Sequence, residues 1–250
     1  MIKLIVSDLD GTLLPYGEDE ISPKVKNLIN EALGMGLRFA VSSGRTYGEL
    51  LKFLPEFRDK IYFMCCDGAC AYYSGKLLLS RQIEKEWLNL FERGAAKNVA
   101  RIYHGDKGDY FYGDIPEEYS KTFNPAPLEK TGLPKNEKIF KITTFGEALK
   151  LPRDAALRIH WNGGETGKTV QYVNRFANKG TCLSLLREKL FLTGFETAVI
   201  GDAENDLPMM RGAKISYAVV SRSNALSNSA THSAPDAERA LARIILGLKN

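Results

Sequence analysis

Apolar positions along the first eighty residues switch between two periods. Ile2 to Ser7 is an apolar run that ends in a carboxylate, the form of a core strand. Ser22-Pro23 then supplies an N-cap and a proline at the first helical position. Val25, Leu28, Ile29, Ala32 and Leu33 recur at helical spacing until Gly34 and Gly36 end the helix. Leu37 to Val41 predicts a second strand, Thr46 to Leu54 a second helix, and Ile61 to Cys66 a third strand. Strand–helix–strand–helix–strand implies a parallel sheet with right-handed crossovers.

The pattern then changes. Ala69 to Tyr73 and Lys76 to Ser80 flank Ser74-Gly75, a hairpin signal. Helical spacing returns over Ile83 to Ala96. Period-two alternation predicts short strands over Asp109 to Tyr112, Lys138 to Thr144, Ala155 to Trp161 and Thr169 to Val173. Asn124 to Asn136 is rich in Pro, Gly and Lys and reads as a loop. This middle region has the look of an antiparallel sheet. From Lys179 the first style resumes, with a helix over Thr181 to Leu190 and a strand over Thr197 to Ile200. A helix over Asp206 to Arg211, a strand over Ile215 to Val220 and a helix over Pro235 to Leu246 follow. The expectation is one α/β core, residues 1–80 and 178–250, interrupted by an α+β domain over 81–177.

Composition narrows the function classes. With 44% hydrophobic and 26% charged residues the chain can bury a sizeable core. The net charge of +4 is mild, and no Lys/Arg block interleaves with aromatics, so no nucleic-acid partner is expected. No run of about 18 apolar residues occurs, so no membrane-spanning helix is expected. The opening segment lacks the apolar length of a secretory leader, which predicts a cytoplasmic protein. Cys65, Cys66, Cys70 and Cys182 lack the paired spacing of a zinc site and read as buried, reduced thiols. Nothing in the sequence sets the oligomeric state.

Candidate chemistry sits at the strand ends. Asp8-Leu9-Asp10-Gly11-Thr12 follows the first strand, and alternation points Asp8 and Asp10 the same way. Two carboxylates at the carboxyl end of a parallel strand lie where open α/β sheets bind ligands. One can act as nucleophile, the other as general acid and base. Ser42-Ser43-Gly44-Arg45 follows the second strand and offers hydroxyls, backbone N–H groups and a guanidinium to a phosphate. Lys179-Gly180 opens a helix with a point charge for the same anion. Gly201-Asp202-Ala203-Glu204-Asn205-Asp206 offers carboxylates to a hard cation.

Taken together, Asp8-Leu9-Asp10-Gly11-Thr12, Ser43-Gly44-Arg45, Lys179-Gly180 and Gly201-Asp202-x-x-Asn205-Asp206 resemble the four signature motifs of the haloacid dehalogenase superfamily. The insertion beginning near Asp67-Gly68-Ala69 resembles its Cof-type branch. The resemblance implies a Rossmann-like parallel-sheet hydrolase core with an inserted α+β cap. It implies a phosphatase acting on a small phosphorylated metabolite, a sugar phosphate among the options. Asp8 would attack phosphorus and become an aspartyl phosphate, with Asp10 as acid and base. Mg2+ would sit on the Asp8 carboxylate, the Asp10 main-chain carbonyl and the Asp202 carboxylate, with Asp206 close behind. Ser43, Gly44, Arg45, Lys179 and Asn205 would serve the phosphoryl group. The same motifs serve a sugar phosphomutase, and a non-catalytic phosphometabolite-binding protein is the third class, disfavoured by intact Asp8 and Asp10.

The sequence departs from that pattern at Asp67, where the family carries Asn, and over Ser216 to Asn224, which lacks the usual glycine-rich form. Asn162 to Thr169 resembles a nucleotide-binding phosphate loop, but Asn162 replaces the first Gly and strand-like alternation follows, so a hairpin is expected. In Leu157 to Trp161 the apolar residues share one face, which leaves Arg158 and His160 as candidates for contact with the rest of the substrate. His104 and His232 read as surface residues in polar loops.

Overall fold

The computed structural model describes residues 1–92, 99–128, 132–146, 149–151, 157–164, 167–219 and 224–249, with the side chains of 159–164, 167, 168 and 224 outside that description. The chain starts with β1 (Leu4–Asp8), α1 (Pro23–Gly34), β2 (Arg38–Ser42), α2 (Tyr47–Phe53) and β3 (Tyr62–Cys65). It turns back through β4 (Cys70–Tyr73) and β5 (Lys76–Ser80). Next come α3 (Lys85–Leu90), β6 (Arg101–Gly105), β7 (Asp109–Tyr112), α4 (Glu117–Phe123), β8 (Ala126–Pro127), β9 (Ile139–Phe145), β10 (Leu157–Gly164) and β11 (Gly167–Asn174). The last stretch holds α5 (Lys179–Lys189), β12 (Thr197–Gly201), α6 (Leu207–Met210), β13 (Ile215–Val219), α7 (Asn224–Ser229), β14 (His232–Ala234) and α8 (Ala237–Lys249). Two compact units result, one from Met1–Leu79 with Asn178–Asn250, the other from Ser80–Ala177.

The first unit is built on a sheet of order β14-β13-β12-β1-β2-β3-β4-β5. The strands from β14 to β3 run parallel, and β4 runs antiparallel to β3. This is the α/β fold expected. β1 is buried at every position, as a central parallel strand must be. Leu4 and Val6 join an apolar cluster with Leu183 and Leu186 of α5 and Met209 and Met210 of α6. Ile5 points the other way and is equally buried. α1 and α8 pack on each other and against the sheet. Helix α1 starts where Ser22 Oγ accepts the Val25 N–H (3.3 Å) ahead of Pro23.

Register aligns the strand ends. Asp8 pairs with Ser42 of β2, and Ser7 with Ile200 of β12. The chain steps from β1 to β2 to β3 in one direction, then returns to the other flank of β1 as β12. That reversal is the point at which open α/β sheets leave a crevice for a ligand.

The second unit is a sheet of order β10-β11-β9-β6-β7-β8, antiparallel apart from the β7–β8 pair. Ile83, Leu88 and Phe91 close its apolar side against Tyr103, Ile142, Val170 and Tyr172. The described residues of the segment that mimics a phosphate loop lie in two paired strands, Asn162 opposite Thr169 and Gly164 opposite Gly167, and strand rather than helix continues to Asn174. No helix among the described residues is long and apolar enough to cross a membrane.

Several elements differ from the sequence expectation. His104 is not a surface residue: it is 1% exposed, in β6 between β9 and β7. Its ring nitrogens lie 2.9 Å from Asp109 Oδ1 and 3.0 Å from Thr143 Oγ1, and satisfying both is what lets a polar ring be buried. β6 escapes a pattern reading because Arg101 and His104 are polar letters at buried positions. Arg101 Nε–H donates to the Tyr103 hydroxyl (2.6 Å) and its other arm to the Val99 carbonyl (2.9 Å). The helix expected over Ile83 to Ala96 is present as Lys85–Leu90, and 93–98 lie outside the described residues. Helices α4 and α7 and strands β8 and β14 were not anticipated. His232 is exposed, as expected, but it lies in β14 beside β13 and not in a loop.

Candidate active site

β1 ends on Asp8 and β12 ends on Gly201, so Asp8 and Asp202 emerge side by side at the reversal point. α5 brings the third member. Asn178 caps it, its side chain accepting the Thr181 N–H (2.9 Å), so the next residue, Lys179, lies in the first turn. Gly180 allows this helix start to press on α6, since a Cβ there would sit 2.5 Å from the Pro208 backbone. Lys179 Nζ then lies 2.5 Å from Asp8 Oδ1 and 2.7 Å from Asp206 Oδ1. The lysine is 2% exposed. Asp206 is held by its other oxygen, which accepts the N–H groups of Asp202 (3.0 Å) and Ala203 (3.1 Å).

One oxygen each of Asp8, Asp202 and Asp206 lie within 4.8 Å of one another, all buried. Three buried carboxylates cluster here, and one ammonium touches two of them. Burial holds the Asp8 carboxyl well above the usual carboxylate range; Lys179 pulls it down, while Asp206 and Asp202 push it up. Burial would lower Lys179, yet Asp8 and Asp206 more than offset this, and the ammonium is held above its ordinary value. Both partners of the ion pair therefore bind their protons tightly, the signature of excess negative charge in a dry site.

Asp10 has different company. The loop folds back, with the Gly11 N–H on the Leu14 carbonyl (2.8 Å), and leaves the Asp10 carboxylate partly open to solvent. Ser43 Oγ donates to it at 3.1 Å. Arg45 grips it in a fork, Nη2–Oδ1 2.7 Å and Nε–Oδ1 3.0 Å. Arg45 also lies over the Phe53 ring, 4.7 Å from its centre. The sequence assigned this guanidinium to a phosphate; in the structure it is engaged by Asp10 instead, because the turn after β2 lies directly beside the loop after β1.

A family model for haloacid dehalogenase-like hydrolases matches residues 5–245. The chain belongs to that family. Among curated proteins, this hydrolase is 25% identical to the 5-amino-6-(5-phospho-D-ribitylamino)uracil phosphatase YbjI of Escherichia coli, over 93% of this chain and 90% of that one. Among solved structures, a Eubacterium rectale protein superposes with TM-score 0.81 at 20% identity, covering 99% of each chain. The subclass IIB sugar phosphatase BT4131 superposes with TM-score 0.73 at 16% identity, covering 97% of this chain and 98% of that one. The likeness to the two structures is one of fold. The family read from the motifs is borne out.

The structure thus gathers Asp8, Asp10, Ser43, Arg45, Lys179, Asp202 and Asp206 of the hydrolase core. Asn205 is exposed beside them. Asp67 is buried next to the Ser43–Arg45 turn: its N–H donates to the Ser43 carbonyl (3.1 Å), and its carboxylate lies 3.3 Å from where a Gly44 Cβ would be. Arg158 is half-buried in β10, its Cα opposite Val173. The His160 side chain lies outside the described residues. Sequence reasoning gave no role to Thr12 and did not single out Tyr16. Thr12 Oγ1 donates to Asp202 Oδ1 and the Tyr16 hydroxyl to Asp202 Oδ2, each at 3.0 Å. The turn-forming Pro15-Tyr16-Gly17 was the available signal for the second.

The charge excess predicts a stability effect of known sign. Asp8 binds its proton more tightly folded than unfolded. Its contribution to the metal-free protein is therefore fully present below the ordinary carboxylate pKa and is lost as pH rises through the raised value. At neutral pH an uncharged isostere should stabilise. In chelator, Asp8→Asn should raise the melting temperature, on the order of 2–4 °C for about 1 kcal/mol in a chain of this size. A lower melting temperature than wild type would mean that the ion pair outweighs the repulsion.

Proposed function

We propose that this hydrolase is a Mg2+-dependent phosphatase of a small phosphomonoester, working through an aspartyl phosphate on Asp8. The observation that carries the reading is the Lys179 ammonium between two buried carboxylates at the sheet's reversal point. The names of the relatives support the same reaction class, and BT4131 suggests a sugar phosphate as the first substrate to try.

The chain's own groups have clear parts. Asp8, fixed by Lys179, attacks phosphorus; the new P–O bond forms as the ester P–O bond breaks. Asp10 gives its proton to the leaving oxygen, then takes one from the water that attacks the aspartyl phosphate, so free phosphate leaves and Asp8 is restored. Lys179 and the Ser43 hydroxyl face the charge that builds on the phosphoryl oxygens. Arg45 holds Asp10 in line for both transfers. Asp206 orients Lys179.

The donor set fits a hard divalent cation. It is all oxygen, and one ammonium leaves the three buried carboxylates under-compensated. The Asp8 and Asp202 carboxylates and the Asp10 main-chain carbonyl would hold Mg2+, with Asp206 behind them. When bound, the ion supplies positive charge that lets an anionic nucleophile meet an anionic ester.

A screen of phosphomonoesters for released phosphate tests this directly. Wild type should turn over with Mg2+ and stop in chelator. Calcium should substitute poorly, because it prefers more ligands at longer distances. Asp8→Asn should abolish turnover, and Asp10→Asn should slow it roughly a hundredfold or more. Turnover by Asp8→Asn, or full activity after exhaustive chelation, would sink the mechanism.

Substrate choice is assigned to the inserted unit, through Arg158 and His160. Arg158→Ala and His160→Ala should lower kcat/KM for the best metabolite while sparing a small aryl phosphate, whereas Lys179→Ala should damage both. An unchanged substrate ratio in both cap variants would remove these two residues from the site.

A further inference from the structure

The loop after β1 carries an aromatic residue outside the four motifs. Glu18 N–H donates to the Pro15 carbonyl (3.1 Å), and Gly17, at φ +90°, occupies the left-handed third position that a type II turn requires. That turn presents Tyr16. The residue is 60% exposed, yet its hydroxyl reaches inward to the buried Asp202 Oδ2 at 3.0 Å. Gly11 leaves the room for this reach. At φ +84° it adopts a conformation other residues avoid, and a Cβ there would lie 2.5 Å from the Tyr16 ring and 2.4 Å from Asp202 Oδ2. Thr12 fastens the other carboxylate oxygen at 3.0 Å. Both oxygens of one buried carboxylate are thus tied from a single loop.

We propose that Tyr16 is a positioning residue for the bound divalent cation, fixing the Asp202 carboxylate so that the ion meets a preset oxygen. The inference rests on the cation reading above. Orientation, not competition, follows from electron-pair bookkeeping. A carboxylate has about four lone-pair sites on two oxygens. Thr12 and Tyr16 take one on each, which leaves one on each for the ion. Mg2+ demands near-ideal octahedral geometry and gives up water reluctantly, so a ligand free to rotate weakens its binding. Groups that orient a metal ligand through a hydrogen bond typically alter affinity 10–100-fold when removed.

The test is calorimetric titration of Mg2+ into metal-stripped wild type and Tyr16→Phe, with melting temperatures in chelator beside it. The phenylalanine keeps the ring and deletes only the hydrogen bond. The dissociation constant should rise about tenfold, with the variant in chelator still fully folded at the titration temperature, so that the loss is read on native protein. Equal or tighter binding by Tyr16→Phe, beside a wild type that binds, overturns the role of Tyr16 and leaves the cation reading standing. A wild type that takes up no Mg2+ overturns both. A variant that melts lower in chelator, by enough to account for weaker binding, makes Tyr16 a structural residue and overturns the proposal as well.

Discussion

The site depends on one buried ammonium. Lys179 lies out of water between Asp8 and Asp206, and an unpaired charge there would cost several kcal/mol. Everything that fixes it is local and rigid: the Asn178 cap, the contact of Gly180 with Pro208, and the backbone N–H groups that hold Asp206. The arrangement is not optimised for stability. Two carboxylates would balance it better than three, and the third keeps the raised Asp8 carboxyl in tension with its neighbours. Under the proposed function, a bound divalent cation would restore that balance.

The parallel sheet turns residues far apart in sequence into neighbours. Asp8 and Asp202 are separated by most of the chain, yet Asp8 ends and Asp202 directly follows strands that pair with each other. An inserted unit does not disturb this pairing, since it leaves from the β4–β5 turn-back and the chain resumes at Asn178, just ahead of α5. The β4–β5 hairpin itself is fixed by Ser74 and Gly75, both at positive φ, as the favoured two-residue hairpin turns require. Core chemistry and insertion can therefore change independently in sequence.

Legibility followed the same physics. Strand ends and caps were readable because Asp8, Ser22-Pro23 and Gly201-Asp202 carry local signals that tertiary packing does not override. The buried strand β6 was not, because pattern reading assumes polar letters face water. Arg101 and His104 break that assumption by finding partners, the Tyr103 hydroxyl and Val99 carbonyl for the first, and Asp109 and Thr143 on neighbouring strands for the second. The partner of Arg45 was equally invisible: a guanidinium in a phosphate motif suggests phosphate, and only the spatial adjacency of two loops reveals Asp10. Tyr16 was hidden by its exposure, since an outward ring tied at its tip looks in sequence like any turn residue.

The ion pairs made by Asp8 and by Asp10 differ in solvent for a reason that the proposed chemistry makes plain. Asp8–Lys179 is dry: its lysine and carboxylate are almost wholly buried. Asp10–Arg45 is wet, with each side chain about a third exposed. A nucleophile gains from a dry setting, where the ammonium's field is unscreened and no water competes for the attack. An acid and base must exchange its proton with a leaving group and then with water, so it cannot be sealed. Arginine suits the wet pair because its fork sets direction as well as charge and it never gives up its own proton. Lysine suits the dry one because a compact point charge can touch two carboxylates at once. The division between Lys179 and Arg45 thus follows from what each carboxylate has to do.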